Sequence, residues 1–384
     1  MGKKIVIVAG SGDFTGACKM AYYYGCEFRN LGWSVCFIVG DPPLDGSTRI
    51  ADVLHDADFN VYEETGFFKL RSRSLIKKVK EIVADYKPDV VISCVQVDLK
   101  IVGPACRSLD VPYIVFDQNL HHFYGLPMIR WAKKVFFGRE LRKALGVIAV
   151  GPAVSRQLIS QFGCRDDSVV VVANGIDLSS SNFDSISIRS LSTENTENVK
   201  CINVGRIDPQ KGQLVLIEAL SLVPNLEVSF AGGVTLWSLD SVLYEKKLRT
   251  YLKNAQFSSL VDFLGWRNDV STLFSQYDFY VHPSLWEGPP LTLSILEAMA
   301  QGLPIIMSDC SGRPEGFIDG FHGRVVESGN VEKLADAMKW MSEMSSSERQ
   351  RIGDNCRRFC LENYDIKVTG NRFVSVVEKM ISRS

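Results

Sequence analysis

The sequence lacks long apolar runs and a surplus of either charge. No apolar stretch approaches the roughly 20 residues needed to cross a bilayer, so we expect no membrane-spanning helix. The 384 residues carry 43 Lys+Arg against 44 Asp+Glu, which gives a net charge of −1. Because nucleic-acid-binding proteins usually carry a basic surplus, the composition does not favour a nucleic-acid partner.

The cysteine and carboxylate patterns typical of disulfide frameworks or metal sites are also missing. Most of the ten cysteines lie in apolar runs, as Cys36 and Cys94 do, which is typical of buried free thiols. Cys356 and Cys360 are one helical turn apart, but no His or second Cys pair completes a metal site. We interpret the Asp-x-Asp sequence at 56–58 as fortuitous. The sequence therefore predicts neither a metal nor another cofactor.

The length and the apolar pattern predict two α/β domains. Single cores stop growing at roughly 250–300 residues, so a chain of 384 residues is expected to form two. Short β-branched runs alternate with segments of helical spacing, such as 74–86 and 151–162. This alternation predicts parallel sheets covered on both faces, that is, two doubly wound domains. The strand candidates are KKIVIVAG, WSVCFIVG, DVVISCV, PYIVFD, GVIAVG, SVVVVANG, KCINVG, LEVSFAGG, VDFLGW, FYVHPS, LPIIMSD and GRVVES.

A change in composition predicts the domain boundaries. Residues 179–198 are rich in Ser, Thr and Asn and poor in large apolar residues, which is typical of a solvated linker. We therefore expect an N-terminal Rossmann-like domain over 1–178 and a second domain over 199–364. The last segment, 365–384, has the apolar spacing of a helix, which we expect to pack back on the N-terminal domain.

A glycine-rich turn follows the first predicted strand. A dinucleotide-binding fingerprint needs glycines at relative positions 1, 3 and 6. Gly10 and Gly12 fit the first two, but Thr15 occupies the third position and Gly16 comes one residue late. The nearest acidic partner for a ribose, Asp41, lies in a Pro-rich turn. A nicotinamide cofactor is therefore the weaker interpretation of this turn.

The second half carries the most specific motifs. They are the stretches VVVVANGID, VGRIDPQKGQLVLIEAL, VDFLGWRNDV and YDFYVHPSLWEGPPLTLSILEAMAQGLP. Together they resemble the family 4 retaining glycosyltransferases of the GT-B fold, strongly over 200–340 and loosely over the first 130 residues. The resemblance implies two Rossmann-like domains that face each other across a cleft. It also implies a nucleotide-sugar donor bound by the second domain.

The resemblance assigns donor contacts to the second domain. Arg206 and Lys211 would meet the diphosphate, where charge-assisted hydrogen bonds contribute about 1.5–3 kcal/mol each. The alternative is a solvated pair of cations on a loop. Glu297 would accept hydrogen bonds from the ribose hydroxyls, since a carboxylate only accepts, and the groups near Gly265 and Trp266 would select the base.

The spacing of the two glutamates departs from the family pattern. The family separates its two glutamates by seven residues, and the first contacts the transferred sugar. Nine residues lie between Glu287 and Glu297, and the strict first position holds Pro289. Either the segment bulges and still presents Glu287, or the sugar is bound differently. In the second case, the donor amides would come from Leu291 and Thr292.

The first domain also departs from the family pattern. Family members often place a His that contacts the donor sugar just after the strand that reads PYIVFDQN here. Asp117 occupies this region, and His121 and His122 follow it. Any of the three could take the role, or the pair of His could be loop residues. The resemblance places Gly12 and Gly16 opposite the donor diphosphate, where the turn lets an acceptor approach.

Two stretches mix basic and aromatic residues, 66–80 and 128–143. Such a mixture suits the surface of an anionic membrane, but it also describes a helix with a solvated basic face and a buried aromatic one. For this family, membrane contact would imply a lipid-linked acceptor. The first residues, MGKKIVIVAG, are predicted to form a strand and not a signal peptide. We therefore expect a cytoplasmic protein, which would be peripheral on the inner face of the membrane if these stretches bind it.

We thus predict a metal-independent hexosyltransferase of surface polysaccharide biosynthesis, such as lipopolysaccharide or capsule. It would move a sugar from a UDP- or GDP-sugar to a hydroxyl of a glycan or lipid-linked saccharide, with retention of configuration. Two alternatives stay open: a nucleotide-sugar epimerase or hydrolase of the same fold, and a non-catalytic donor- or carbohydrate-binding module. A dehydrogenase is a more distant alternative.

Overall fold

A computed structural model gives the architecture of most of the chain. The predicted linker 179–198 and His122 lie outside the described residues. The structure describes residues 2–14, 16–43, 48–69, 72–94, 96–121, 123, 126–178, 199–234 and 238–383.

The chain divides into two units. Unit 1 comprises Met1–Gly175 and Ile366–Ser384, and unit 2 comprises Ile176–Asp365. Within the described ranges, no helix is long and apolar enough to cross a membrane.

Unit 1 is built on a parallel sheet. The sheet order is β3-β2-β1-β4-β5-β6-β7, which is the order of a doubly wound fold. Because parallel neighbours need crossover connections, helices join the successive strands. The strands are β1 (Lys4–Ser11), β2 (Ser34–Asp41), β3 (Asn60–Glu63), β4 (Val90–Ser93), β5 (Tyr113–Asp117), β6 (Gly146–Ala149) and β7 (Val169–Val171). The helices are α1 (Gly16–Asn30), α2 (Ile50–Asp56), α3 (Arg73–Tyr86), α4 (Leu99–Arg107), α5 (Pro127–Leu141), α6 (Pro152–Phe162) and the last helix of the chain, Ile366–Ile381.

The last helix packs on α1 within unit 1. The rings of Phe373 and Tyr24 stack with centroids 4.0 Å apart, and both side chains are fully buried. The Tyr24 hydroxyl donates to the carbonyl of Ala173 at 3.1 Å. Gly370 faces Glu27, and a Cβ atom at Gly370 would come 2.5 Å from the Glu27 side chain. The two helices therefore meet at close range and bury a common aromatic cluster.

Unit 2 repeats the plan with six strands. The sheet order is β10-β9-β8-β11-β12-β13, again parallel, so both sheets confirm the predicted doubly wound fold class. Buried apolar clusters cover this sheet. The strands are β8 (Val199–Val204), β9 (Leu226–Ala231), β10 (Val261–Gly265), β11 (Phe279–His282), β12 (Ile305–Ser308) and β13 (Gly323–Val326). The helices are α7 (Gln213–Leu220), α8 (Leu239–Lys253), α9 (Val270–Phe274), α10 (Leu293–Ala300), α11 (Val331–Ser342) and α12 (Ser346–Tyr364), and we number the last helix of unit 1 α13.

Candidate active site

The predicted donor residues follow the two central strands of unit 2. The chain leaves β8 toward β9 on one side, whereas β11 pairs with β8 on the other side. Ligands of doubly wound sheets bind at such a switch point, beyond the carboxyl ends of the strands. Arg206 and Lys211 follow β8, and Glu287 follows β11. The fold therefore brings the loops that carry these three residues to the same edge of the sheet.

A tight turn places Lys211 beside the loop after β11. Residues 209–211 form a single 3₁₀ turn, and the Asp208 side chain accepts a hydrogen bond from the amide of Gln210 at 3.0 Å. Gly212 follows in the left-handed region with φ +68°, and a Cβ atom there would come 2.1 Å from the carbonyl oxygen of Pro283. The amide of Leu285 donates to the Gln210 carbonyl at 2.7 Å. The two loops are therefore held in backbone contact.

Glu287 lies at the centre of a buried polar network. Its Oε1 atom accepts from Lys211 Nζ at 2.5 Å and from Ser284 Oγ at 2.8 Å. His282 Nε2 lies 3.3 Å from the same oxygen, and Gln210 Nε2 lies 3.3 Å from Oε2. The residue is only 7% exposed. Despite the longer spacing to Glu297, the segment therefore presents Glu287 to Lys211.

Opposing effects act on the Glu287 carboxyl. Burial alone would raise the pKa of Glu287, because it disfavours the charged form. The Lys211 charge and the His282 hydrogen bond outweigh burial and hold this pKa well below its usual range. Glu287 is therefore a carboxylate at neutral pH, and its nearest cation is Lys211.

The network continues through β11 to α10. His282 Nδ1 lies 3.1 Å from the hydroxyl of Tyr280, and the same hydroxyl lies 2.9 Å from Ser294 Oγ. Burial raises the pKa of Tyr280, and the nearby charges of Glu287 and Glu297 raise it further. Both glutamates of the motif therefore lie close enough to act on one tyrosine, although their spacing differs from that of the family.

The other predicted donor residues differ in exposure. The Arg206 side chain is exposed and forms no ion pair with any residue that the structure describes. Glu297 is half-buried on α10, and Thr292 is the residue before its first turn. Leu291 is 3% exposed and belongs to the apolar core, so its side chain is committed to packing.

Trp266 follows the end of β10 and remains half-exposed. Its indole lies against Gly233, where a Cβ atom would come 2.5 Å from Nε1. Gly265 has φ +67°, and its carbonyl accepts from the amide of Gly232 at 2.8 Å. Trp266 is 53% exposed, so one part of the indole remains accessible at this edge.

In unit 1, the two predicted residues of the glycine turn differ in their surroundings. A Cβ atom at Gly12 would come 2.2 Å from the carbonyl oxygen of Asp41, so β1 and β2 require glycine there. Gly16 begins α1 with φ +45° and has open space beside it. The Asp41 carboxylate accepts from the amides of Gly66 and Phe67 at 2.9–3.1 Å. In a dinucleotide site, the Asp41 carboxylate would bind the hydroxyls of a ribose. Here it binds backbone amides of its own unit instead.

Asp117 and His121 form a buried pair in unit 1. His121 Nε2 lies 2.6 Å from Asp117 Oδ2, and both side chains are at most 5% exposed. The imidazole packs against the rings of Phe137, at 4.4 Å between centroids, and Phe162. Within unit 1, the two side chains are thus partners of each other. A sugar contact by either side chain requires that it leave this packing.

His282, Ser284, Gln210 and Tyr280 are site residues that the sequence reasoning missed. A signal was present, because Tyr280 and His282 are polar residues two apart in an otherwise apolar strand. Residues two apart in a strand share one face. Among the described residues, no group of three or more His, Cys, Asp or Glu side chains is arranged to hold a metal ion.

The Lys211 turn allows a matched test of backbone strain. Gly265→Ala should cost about 1–2 kcal/mol of unfolding free energy through its positive φ alone, because Gly265 has no neighbour within 4 Å. Gly212→Ala carries the same strain and also a clash with Pro283, so we expect about 1–3 kcal/mol more. Urea unfolding of both variants measures the difference. If both variants lost the same unfolding free energy, the close contact between Gly212 and Pro283 would not be what requires glycine at position 212.

The doubly wound sheets, with cations at the switch point of unit 2, define the class of GT-B glycosyltransferases. Two family models match most of the chain: "Glycosyltransferase Family 4" over residues 15–180 and "Glycosyl transferases group 1" over residues 184–359. The chain belongs to this group 1 / family 4 of retaining glycosyltransferases. The predicted family is therefore confirmed.

Individual relatives are distant. An uncharacterized glycosyltransferase of Methanocaldococcus jannaschii is 25% identical over 270 residues, which cover 70% of this chain and 64% of that protein. The UDP-Gal:alpha-D-GlcNAc-diphosphoundecaprenol alpha-1,3-galactosyltransferase of Escherichia coli is 29% identical over 42% of this chain and 41% of its own length. The matched regions thus span less than two thirds of either relative.

Solved structures match along the whole chain. Anabaena Alr3699/HepE in complex with UDP and glucose has a TM-score of 0.79 and 22% identity, covering 98% of this chain and 99% of that one. A glycosyltransferase from Rickettsia africae has a TM-score of 0.80 and 18% identity, with both chains fully covered. At these identities, the likeness shows the fold, which is GT-B.

Proposed function

We propose that this protein transfers a sugar from a nucleoside-diphosphate sugar to a hydroxyl of an acceptor, with retention of configuration. The observation that carries the proposal is the position of Lys211, which follows β8 on the same loop as Arg206 at the switch point of the unit 2 sheet. A diphosphate bound there would meet one cation held by a buried network and one exposed cation. Both cations would neutralise charge as the glycosidic bond breaks.

The rest of the proposed chemistry uses few side chains. Glu297 would accept hydrogen bonds from the ribose hydroxyls, and the groups near the accessible Trp266 would contact the base. Lys211 and Arg206 would take the part that a metal has in other transferases. An oxygen of the leaving diphosphate would accept the proton of the attacking hydroxyl, so no separate base is required.

We propose UDP as the donor nucleotide and a lipid-linked saccharide as the acceptor. The E. coli relative is named for UDP-Gal and a diphosphoundecaprenol acceptor, and the Anabaena structure contains UDP and glucose. Both names support the proposal. Neither fixes the sugar of this protein.

An exposed apolar stripe on α5 of unit 1 supports a lipid-linked acceptor. Met128, Trp131 and Val135 share one side of α5 and are 78%, 66% and 45% exposed. Arg130 and Lys133 are exposed on the other side of the helix, and Lys134 is exposed beside the stripe. An in-plane helix can bury such an apolar stripe at the acyl boundary while its basic side chains reach the headgroups. We propose that α5 contacts an anionic membrane.

A binding panel tests the donor assignment. A ligand at about 100 times its Kd stabilises the protein by about 2.7 kcal/mol. UDP should raise the melting temperature of the wild type and of Lys339→Ala, which removes an exposed lysine far along α11. It should shift Lys211→Ala and Arg206→Ala much less at the same concentration, because each variant lacks one charge-assisted hydrogen bond to the diphosphate. GDP, ADP and NADH complete the panel, and a shift by NADH alone would overturn the proposal.

Turnover then separates the proposed transferase from its alternatives. A transferase releases UDP from a UDP-sugar only when an acceptor such as a polyprenyl-diphosphate saccharide is present. A hydrolase releases UDP without an acceptor, and an epimerase changes the sugar without releasing it. A binding module gives a thermal shift with UDP and no turnover with any acceptor.

A further inference from the structure

The Glu287 carboxylate has two kinds of partner. Lys211 is a cation 2.5 Å from Oε1, whereas Ser284 and Gln210 are neutral donors at 2.8 and 3.3 Å. His282 is the third neutral partner, since burial lowers its pKa and favours the uncharged imidazole. A carboxylate offers about four acceptor sites. Glu287 can therefore lose Lys211 and still keep hydrogen bonds from its neutral partners.

The Lys211 ammonium group has two possible partners, Glu287 and a bound diphosphate. Under the proposed function its ammonium group binds the diphosphate, but in this structure it is 16% exposed and paired with Glu287. A diphosphate beside an ion-paired lysine would meet a partly neutralised cation and a nearby negative carboxylate. Binding of the donor and pairing with Glu287 therefore compete for the same ammonium group.

We propose that Lys211 changes partner from Glu287 to the diphosphate when the donor binds, and that His282 and Ser284 are positioning residues that hold Glu287 in place during this exchange. The inference rests on the proposed function, which supplies the diphosphate. The exchange leaves Oε1 with its two neutral partners, and Oε2, which has Gln210 at 3.3 Å, keeps a lone pair for a hydroxyl of the transferred sugar.

The contacts of His282 fit a positioning role. Its imidazole is 2% exposed and is held at both nitrogens, with Nδ1 3.1 Å from the Tyr280 hydroxyl and Nε2 3.0 Å from Ser284 Oγ. The same Nε2 lies 3.3 Å from Glu287. Because β11 carries both Tyr280 and His282, the ring cannot turn without breaking contacts at both ends. The carboxylate thus stays oriented when the ammonium group leaves.

Titration with UDP, which has the diphosphate but no sugar, tests the competition. Glu287→Gln removes the competing charge, so UDP should bind about fivefold to tenfold more tightly than to the wild type. Glu287→Asp, which withdraws the carboxylate by one methylene, should give a smaller gain of the same sign. The matched control is Glu227→Gln, which removes a carboxylate 3.6 Å from Lys200 at the opposite end of the sheet. This variant should bind UDP with the affinity of the wild type.

A double-mutant cycle tests the role of His282. Without its neutral donor, Glu287 should hold Lys211 more firmly, so His282→Phe should weaken UDP binding about fivefold. His282→Gln, which keeps a side-chain N–H, should recover most of that loss. In the Glu287→Gln background, His282→Phe should have no effect. A purely structural role would weaken binding equally in both backgrounds.

The outcomes separate the two proposals. If UDP binds the wild type but Glu287→Gln binds it no more tightly, the exchange is wrong and the proposed function stands. An equal effect of His282→Phe in both backgrounds overturns the positioning role. GDP replaces UDP as the probe if only GDP binds the wild type. If no nucleoside diphosphate binds, both the proposed function and the exchange fail.

Discussion

Lys211→Ala is expected to lower kcat for sugar transfer by about 10²–10³-fold, the range found when one preorganised donor to a developing anion is removed. Lys211 is set in place by the 3₁₀ turn before Gly212, which is held against Pro283. A positioned cation needs no reorganisation as charge develops on the leaving diphosphate. We therefore expect kcat to fall more than KM rises.

Arg206 provides the comparison for this prediction. Its side chain is exposed and has no ion pair within the described part of the chain, so it must be ordered when the donor binds. Arg206→Ala should therefore raise KM about as much as it lowers kcat. Steady-state release of UDP from the UDP-sugar, with the acceptor present, measures both constants. A loss in Lys211→Ala confined to KM would contradict a role in the transition state.

Most of the fold could be predicted from apolar runs, because strands of a parallel sheet are buried on both faces and read as continuous apolar segments. The sequence analysis found every strand except β3. This strand lies at the edge of its sheet, and Asn60 and Glu63 at its ends are exposed. Its sequence, NVYE, therefore lacks the apolar signal on which the other predictions depend.

The site was predictable in its residues but not in its contacts. Lys211 and Glu287 could be named from motifs, but their ion pair joins positions 76 residues apart and depends on β8 lying beside β11. A contact of Asp117 or His121 with the donor sugar stays a prediction, but no sequence pattern indicated that the two side chains are buried against each other. The rings around His121 come from α5 and α6, and no local pattern reports such packing.

The two basic stretches also look alike in sequence and differ in the structure. In α3 the apolar side chains of Leu75, Val79 and Val83 are buried, so the basic residues form an ordinary solvated face. Helix α5 buries residues only in its second half, and its first turns leave Met128 and Trp131 exposed. The two helices differ because only the second half of α5 packs against the rest of unit 1.

Reversing the charges of α5 is therefore expected to abolish membrane binding selectively. Each Lys or Arg near an anionic surface contributes about 1 kcal/mol, so Arg130→Glu, Lys133→Glu and Lys134→Glu together should remove about 3 kcal/mol. That loss corresponds to at least about 100-fold in affinity. Sedimentation with vesicles of equal parts phosphatidylglycerol and phosphatidylcholine measures it. All three side chains are exposed, so the melting temperature should not change.

The matched control makes the same charge change on α3, with Arg73→Glu, Lys77→Glu and Lys78→Glu. This variant keeps the exposed apolar stripe of α5, so it should lose little vesicle binding. Met128→Ser with Trp131→Ser should weaken binding and leave its salt dependence unchanged, because insertion and charge attraction are separate contributions. Equal losses from the α3 and α5 reversals would instead indicate attraction of the whole basic surface, and α5 would then have no particular role.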